Sequence, residues 1–254
     1  MVDMKSQITD YLRDLHLPTI RRLYEDHAVK SAQESLSYEM YLYELLEREC
    51  EVRRHKKTER LLKESRLPLE KTLDSFDMKR LPRKVAQVVK SLLDGSFIER
   101  KENILSFGNP GSGKTHLLSA VGQELIRRMG KRVYFTQCSL LVQELLIAKK
   151  ELKLARILKK FSRYDAIIID DIGYVQQNRE EMEVLFTLLA ERYERGSIML
   201  TSNLPFSKWE KIFKDPMVTA AAIDRLVHHC VVLELNVPSY RMEKAKSSKK
   251  EKGG

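Results

Sequence analysis

Apolar positions in the first part of the chain recur at helical spacing: Leu12 and Leu15 before Pro18, then Ile20, Leu23 and Tyr24, then Leu42, Leu45 and Leu46. No glycine interrupts residues 1–66, which read as a small all-helical N-terminal domain. Beyond Pro68 the period changes, and strand-like apolar runs alternate with helical stretches. That is the pattern of a parallel sheet covered by helices on both faces. Five strands are predicted: Asn103 to Phe107, Arg132 to Thr136, Asp165 to Asp170, Ser197 to Ser202 and Cys230 to Leu235. An amphipathic helix carrying Val85, Val88, Val89, Leu92 and Leu93 precedes the first strand and stops at Gly95. Further helices are predicted at Lys114 to Met129, Ser139 to Phe161 with room for a break, Glu180 to Arg195, Lys208 to Phe213 and Val218 to Val227. The fold class is α/β with a helical N-terminal domain at 1–66, a linker at 67–82, a core at 83–240 and a basic, disordered tail at 241–254.

Charge sharpens this division. The chain has 254 residues, 46 Lys and Arg against 36 Asp and Glu, and a formal net charge of +10. Residues 1–70 and 181–240 are close to neutral, so the surplus lies between them and in the tail. A positive excess raises nucleic acid as a partner without saying which surface meets it. Cys50, Cys138 and Cys230 stand far apart with no CxxC pair, which predicts buried, reduced thiols and neither a disulfide framework nor a zinc cage. No run approaches the length of a membrane span, and the polar start MVDMKSQITD lacks an apolar stretch behind it, so a cytoplasmic protein with no membrane partner is expected.

The segment Gly108-Asn109-Pro110-Gly111-Ser112-Gly113-Lys114-Thr115 fits GxxxxGK[ST] between a predicted strand and a predicted helix, the context that the motif requires. Glycines let such a loop turn its N–H groups inward around phosphates, and the following helix N-terminus adds partial positive charge. Lys114 then bridges the β- and γ-phosphates of ATP, and the Thr115 hydroxyl ligates Mg²⁺. A loop that binds nucleotide without hydrolysing it is the alternative. His116 directly follows and is grouped with the nucleotide-binding run, as a helix residue facing the sheet edge rather than a catalyst. Phe76, in the linker, is a candidate for adenine contact.

The run Ala166-Ile167-Ile168-Ile169-Asp170-Asp171 ends an apolar strand in two carboxylates, and in a parallel sheet that end lies beside the phosphate loop. Adjacent strand side chains point opposite ways, so Asp170 is assigned to Mg²⁺ through water and Asp171 to the attacking water. Asn203, after the fourth strand, can hydrogen-bond the γ-phosphate or that water, or be an ordinary turn residue. Arg225, near a predicted helix end, either pairs with its neighbour Asp224 or enters the site of an adjacent subunit to stabilise transition-state charge. His228 and His229 have no companion at metal-ligand spacing, so packing or solvent contact is expected of them. Trp209 reads as a core anchor.

Taken together, LRDLHLPTIRRLYEDHA, LSYEMYLYELLERE, KTLDSFD, GNPGSGKTHLL, IIIDDIGY, LFTLLAERYERGS, TSNLPFSKWEKIF, IDRLVHHC and SYR span nearly the whole chain. In these segments the sequence resembles the IstB group of AAA+ ATPases, helpers of insertion-sequence transposition related to DnaC-type helicase loaders. The resemblance implies an ATPase that multimerises on duplex DNA, a transposase partner that stimulates hydrolysis, and ATP-bridged contacts between identical subunits. It also implies that Asn203 is a first sensor, that Arg225 acts in trans and that Arg241 of SYR is the residue left for a second sensor. After Leu235 only 19 residues follow, so the usual multi-helix lid is expected to be largely absent. The rivals are a helicase loader, which prefers single strands, and a P-loop kinase, for which no acceptor site is visible.

For duplex DNA, Lys149, Lys150, Lys153, Arg156, Lys159, Lys160 and Arg163 place seven bases against one acid, Glu151, over the 15 residues 149–163 between the second and third strands. Bases sharing a helix face can contact successive phosphates with little sequence preference, although a solvated helix looks the same from sequence. Arg53, Arg54, Lys56, Lys57 and Arg60 form a second basic stripe in the N-terminal domain. The tail Lys244 to Lys252 adds non-specific attraction.

Overall fold

A computed structural model describes residues 3–172, 179–209, 216–240 and 242–243. The chain divides into two units, Met1–Arg60 and Leu61–Gly254. The division falls inside a helix, earlier than the sequence pattern suggests.

In the first unit, α1 (Met4–Asp14) and α2 (Pro18–Gln33) precede the long α3 (Tyr38–Ser65), most of which belongs to this unit. Pro18 opens α2, where a missing N–H costs nothing. The next two amides, Thr19 N and Ile20 N, donate to Glu49 Oε2 of α3 at 2.8 and 3.2 Å, so a carboxylate replaces the capping side chain that Leu17 cannot supply.

In the second unit, β1 (Asn103–Gly108), β2 (Val133–Gln137), β3 (Ala166–Asp170), β4 (Ser197–Ser202) and β5 (Cys230–Leu235) form one sheet in the order β2-β3-β4-β1-β5. All of its pairings are parallel. Strand periodicity sends alternate residues to opposite faces. Leu105, Ile167, Ile169, Ile198 and Leu200 enter one apolar layer with α7 (Cys138–Lys150), α9 (Arg179–Arg192) and α10 (Pro216–Val227). Ile104, Ala166, Ile168 and Met199 enter the other with α4 (Arg83–Leu92), α5 (Ser96–Glu99) and α6 (Lys114–Met129).

The long helix expected at 139–161 is two, α7 and α8 (Leu154–Phe161), with Leu152 between them at φ 57°. The helix expected at Lys208 to Phe213 lies mostly outside the described residues, which break off at 210–215; a 3-10 turn, Phe206–Lys208, comes just before. Residues 67–82 pack as part of the core: Leu67 and Leu81 are buried, and the buried Gln123 Nε2 donates to the carbonyls of Pro68 at 3.1 Å and Lys71 at 3.0 Å. All three cysteines are free, but only Cys138 is buried; Cys50 is exposed and Cys230 half-buried, because Cys50 lies on the solvent side of α3 and Cys230 opens an edge strand. Trp209 is fully buried, with Nε1 donating to Leu204 O at 3.1 Å.

Candidate nucleotide site

The loop from β1 to α6 requires glycine for steric reasons. Gly113 has φ 100°, and a Cβ there would lie 3.0 Å from the ring of Phe76; a Cβ on Gly108 would lie 2.4 Å from Leu235 O. The loop lies at the C-terminal ends of β1 and β3, where parallel sheets bind ligands. A cavity of about 200 Å³ opens beside it, lined by Gly111 to His116 and by Phe76, Arg80 and Tyr240. Residues 71–82 therefore form one wall of this cavity. His116 Nε2 lies 2.9 Å from Thr72 O and 3.2 Å from Ser75 Oγ, and its ring meets Phe76 edge-on at 5.2 Å. Arg80 lies over the Tyr240 ring at 5.0 Å.

Lys114 is 8% exposed, and its ammonium donates to Gly108 O at 2.8 Å and Asn109 O at 3.0 Å. Thr115 Oγ1 donates to Asp170 Oδ1 at 2.8 Å, and Thr201 Oγ1 reaches the same oxygen at 2.7 Å. The backbone N–H of Asp171 donates to Thr201 Oγ1 at 2.8 Å. Thr201 thus joins the two acids, a role that the motif reading missed. The signal was available in strand register: Ile169 pairs with Leu200, which brings Asp170 beside Thr201 one residue on.

Asp171 differs from Asp170 for another reason than strand alternation. It follows the end of β3 in a left-handed conformation, φ 68°, which aspartate tolerates better than most residues. Burial raises its pKa and the neighbouring Asp170 adds to the rise, while Lys114 works the other way. Asn203 is half-buried and its Oδ1 accepts no hydrogen bond; the buried Ser112 Oγ inside the loop is unpartnered too. Unsatisfied polar atoms at these positions fit a polar ligand that completes them. The Thr115 hydroxyl and the Asp170 carboxylate are hard oxygen donors, the set that suits Mg²⁺.

Arg225 does not pair with Asp224. Its guanidinium donates to Ala221 O at 3.0 Å and stacks over Phe186 at 4.8 Å. Asn103 Nδ2 donates to Arg225 O at 3.5 Å and Leu226 O at 3.1 Å, fixing this helix end at the start of β1. The phosphate loop follows the other end of that strand, roughly 17 Å away at strand rise. Arg241 lies outside the described residues.

The basic run divides by partner. Lys149 pairs with Glu183 at 2.9 Å, Lys153 with Glu151 at 2.7 Å and Lys160 with Glu144 at 2.9 Å, while Lys150, Arg156, Lys159 and Arg163 are exposed. Lys153, Arg156, Lys159, Lys160 and Arg163 line one open groove between α7 and α8. On α3, Arg53, Arg54, Lys56 and Lys57 are all exposed, but Arg53 bonds Glu49 Oε1 at 2.8 Å and the His16 carbonyl, so it braces the helices of its unit.

A family model described as IstB-like ATP binding protein matches residues 10–248. The chain belongs to that family. Among IstB-like relatives, it is 43% identical over 243 residues to an insertion-sequence ATP-binding protein of Sinorhizobium fredii, covering 95% of this chain and 81% of that protein. It is 38% identical to one of Geobacillus stearothermophilus, covering 98% of this chain and 99% of the relative. Among solved structures, the DnaC helicase loader superposes with a TM-score of 0.56 at 17% identity, over 65% of this chain and 96% of that one. The AMPPCP-bound DnaA from Aquifex aeolicus gives 0.58 at 23% identity, over 74% of this chain and 56% of that chain, so this chain spans little over half its length. These likenesses show the fold: the core of this IstB-like chain is an AAA+ P-loop domain. Among the described residues no helix is long and apolar enough to cross a membrane.

Proposed function

We propose that this IstB-like chain is an ATPase that assembles on duplex DNA in its ATP-bound state, marks that DNA for a transposase and is released by hydrolysis. The observation that carries the reading is the position of Arg225 at the opposite end of β1 from its own phosphate loop. An arginine there serves a nucleotide held by a neighbouring subunit, which makes hydrolysis depend on assembly.

At the site, Lys114 leaves its carbonyl partners Gly108 O and Asn109 O for the β- and γ-phosphates of ATP. Thr115 and Asp170 would hold Mg²⁺, with Thr201 orienting the carboxylate, and the ion would supply positive charge to offset that of the phosphates. Asp171 receives and aligns the attacking water; its raised pKa strengthens it as a proton acceptor. Asn203 Oδ1, unpartnered without ligand, accepts a hydrogen bond from that water. Phe76 lies where a base attached to those phosphates can rest on its ring.

For DNA, the groove rimmed by Lys153, Arg156, Lys159, Lys160 and Arg163 meets successive phosphates, with Arg54, Lys56 and Lys57 assisting. The test is a pair of variants in assembly and turnover assays on bare duplex DNA. Lys114→Ala is expected to lose both assembly and DNA retention. Asp171→Asn is expected to assemble and stay on DNA without turning over; loss of DNA binding by Asp171→Asn overturns the switch. Preference for single-stranded over duplex DNA would instead support helicase loading.

A further inference from the structure

At the end of the sheet where β4 and β5 begin, two turns meet. Glu194 lies in the turn between α9 and β4, and His228 and His229 form the turn between α10 and β5. One ligand atom from each of the three lies within 4.8 Å of the other two, and all three residues are exposed. The fold supplies the companion that local spacing could not, since Glu194 is remote from the histidines in sequence.

From this geometry we infer that Glu194, His228 and His229 bind a divalent transition-metal ion of the zinc class. Two imidazoles and one carboxylate are a three-ligand set that zinc accepts, with a fourth position left for water. The nitrogen donors favour Zn²⁺, Ni²⁺ or Cu²⁺ over Mg²⁺, which takes oxygen ligands, so this site is chemically distinct from the nucleotide site.

The ligands are held from behind. His228 N donates to Asp224 O at 2.9 Å and Asn103 N donates to His229 O at 2.8 Å, which anchors the turn on both sides. On the other turn, Gly196 N donates to Arg192 O at 3.1 Å. The two imidazole rings stand edge to face with centroids 4.2 Å apart. Tyr193 Oη lies 3.0 Å from His228 Nδ1. That contact orients the imidazole, as outer-shell partners of ligating histidines commonly do. A bound ion cross-links the end of α9 to the end of α10.

The test uses the full chain without a histidine tag, stripped with chelator and free of nucleotide. Zn²⁺ is titrated in competition with a chromogenic chelator, and Co²⁺ is added separately to record its visible absorption. The wild type is expected to take one ion per chain. His228→Ala, His229→Ala and Glu194→Gln should each weaken binding ~10-fold or more while circular dichroism stays unchanged. Cys230→Ser, which removes the adjacent half-buried thiol, should bind as the wild type does. The proposal fails if the wild type holds no ion, if Glu194→Gln binds as tightly as wild type, or if Cys230→Ser abolishes binding.

Discussion

Thr201 Oγ1 stands 2.7 Å from Asp170 Oδ1, the oxygen that Thr115 Oγ1 also reaches at 2.8 Å. Two hydroxyls, one from the first turn of α6 and one from the end of β4, thus fix one carboxylate, and Thr201 in turn receives the backbone N–H of Asp171.

The first prediction concerns that hydroxyl. Thr201→Val keeps the shape and loses the hydrogen bonds, leaving Asp170 held by Thr115 alone and the Asp171 amide without its partner. The Mg²⁺ concentration needed for half-maximal hydrolysis should rise, or turnover fall, by about 10- to 100-fold, as for other outer-shell partners of metal ligands. Thr201→Ser should recover most of the loss. Equal behaviour of Thr201→Val and wild type across a Mg²⁺ titration would remove Thr201 from the site.

A second prediction concerns Arg192, 2% exposed inside the core. Its guanidinium donates to Phe161 O at 3.1 Å, Tyr164 O at 2.7 Å, Asp165 O at 3.1 Å and Ser197 O at 3.1 Å, tying the end of α8 to the starts of β3 and β4. Burial lowers its pKa to about 10, which still leaves it charged at neutral pH. Arg192→Met removes all four hydrogen bonds and leaves Tyr164 O and Ser197 O without this donor, while Phe161 O and Asp165 O keep the backbone N–H groups of Tyr164 and Ser197; it should cost about 2–5 kcal/mol in denaturant unfolding. Gly196→Ala should also destabilise, since a Cβ there would overlap the guanidinium.

A third prediction is a pH dependence in the N-terminal helices. Glu49 is 3% exposed; burial opposes its ionisation, but Arg53 and the amides of Ile20 and Thr19 outweigh it and hold its carboxyl below the usual carboxylate range. A carboxylate with a lowered folded pKa contributes stability above the unfolded value, and that contribution is lost as pH falls through the folded one. Glu49→Gln should therefore reduce hydrogen-exchange protection of the Thr19 and Ile20 amides by about 2 kcal/mol at neutral pH. The difference from wild type should vanish well below pH 4.5. A difference that persists in acid would mean that the charge of Glu49 is not what holds the start of α2.

Much of the architecture could be read from local pattern. The apolar run 166–169 predicted β3, and Gly113 and Gly130, both at positive φ, bracket α6 at the predicted Lys114–Met129. The phosphate loop was legible because its chemistry is contiguous. Thr201, Arg192 and Gln123 were not, because each acts on backbone or carboxylate groups far away in sequence and leaves no period behind. Residues 67–82 looked like a linker for the same reason: their polar composition hides the burial of Leu67 and Leu81. Arg53 looked like part of a charge stripe until its contacts with Glu49 and His16 gave it a structural task.

The central claim is that each nucleotide is hydrolysed with an arginine from the next subunit, and mixing two inactive variants on duplex DNA tests it most directly. Asp171→Asn lacks the water-aligning group but keeps Arg225; Arg225→Ala lacks the arginine but keeps Asp171. Each alone should hydrolyse little ATP, and the mixture should regain turnover at sites that pair an intact Asp171 with a neighbour's intact Arg225. A mixture as inactive as its parts, or an Arg225→Ala protein as active as wild type, would contradict the account.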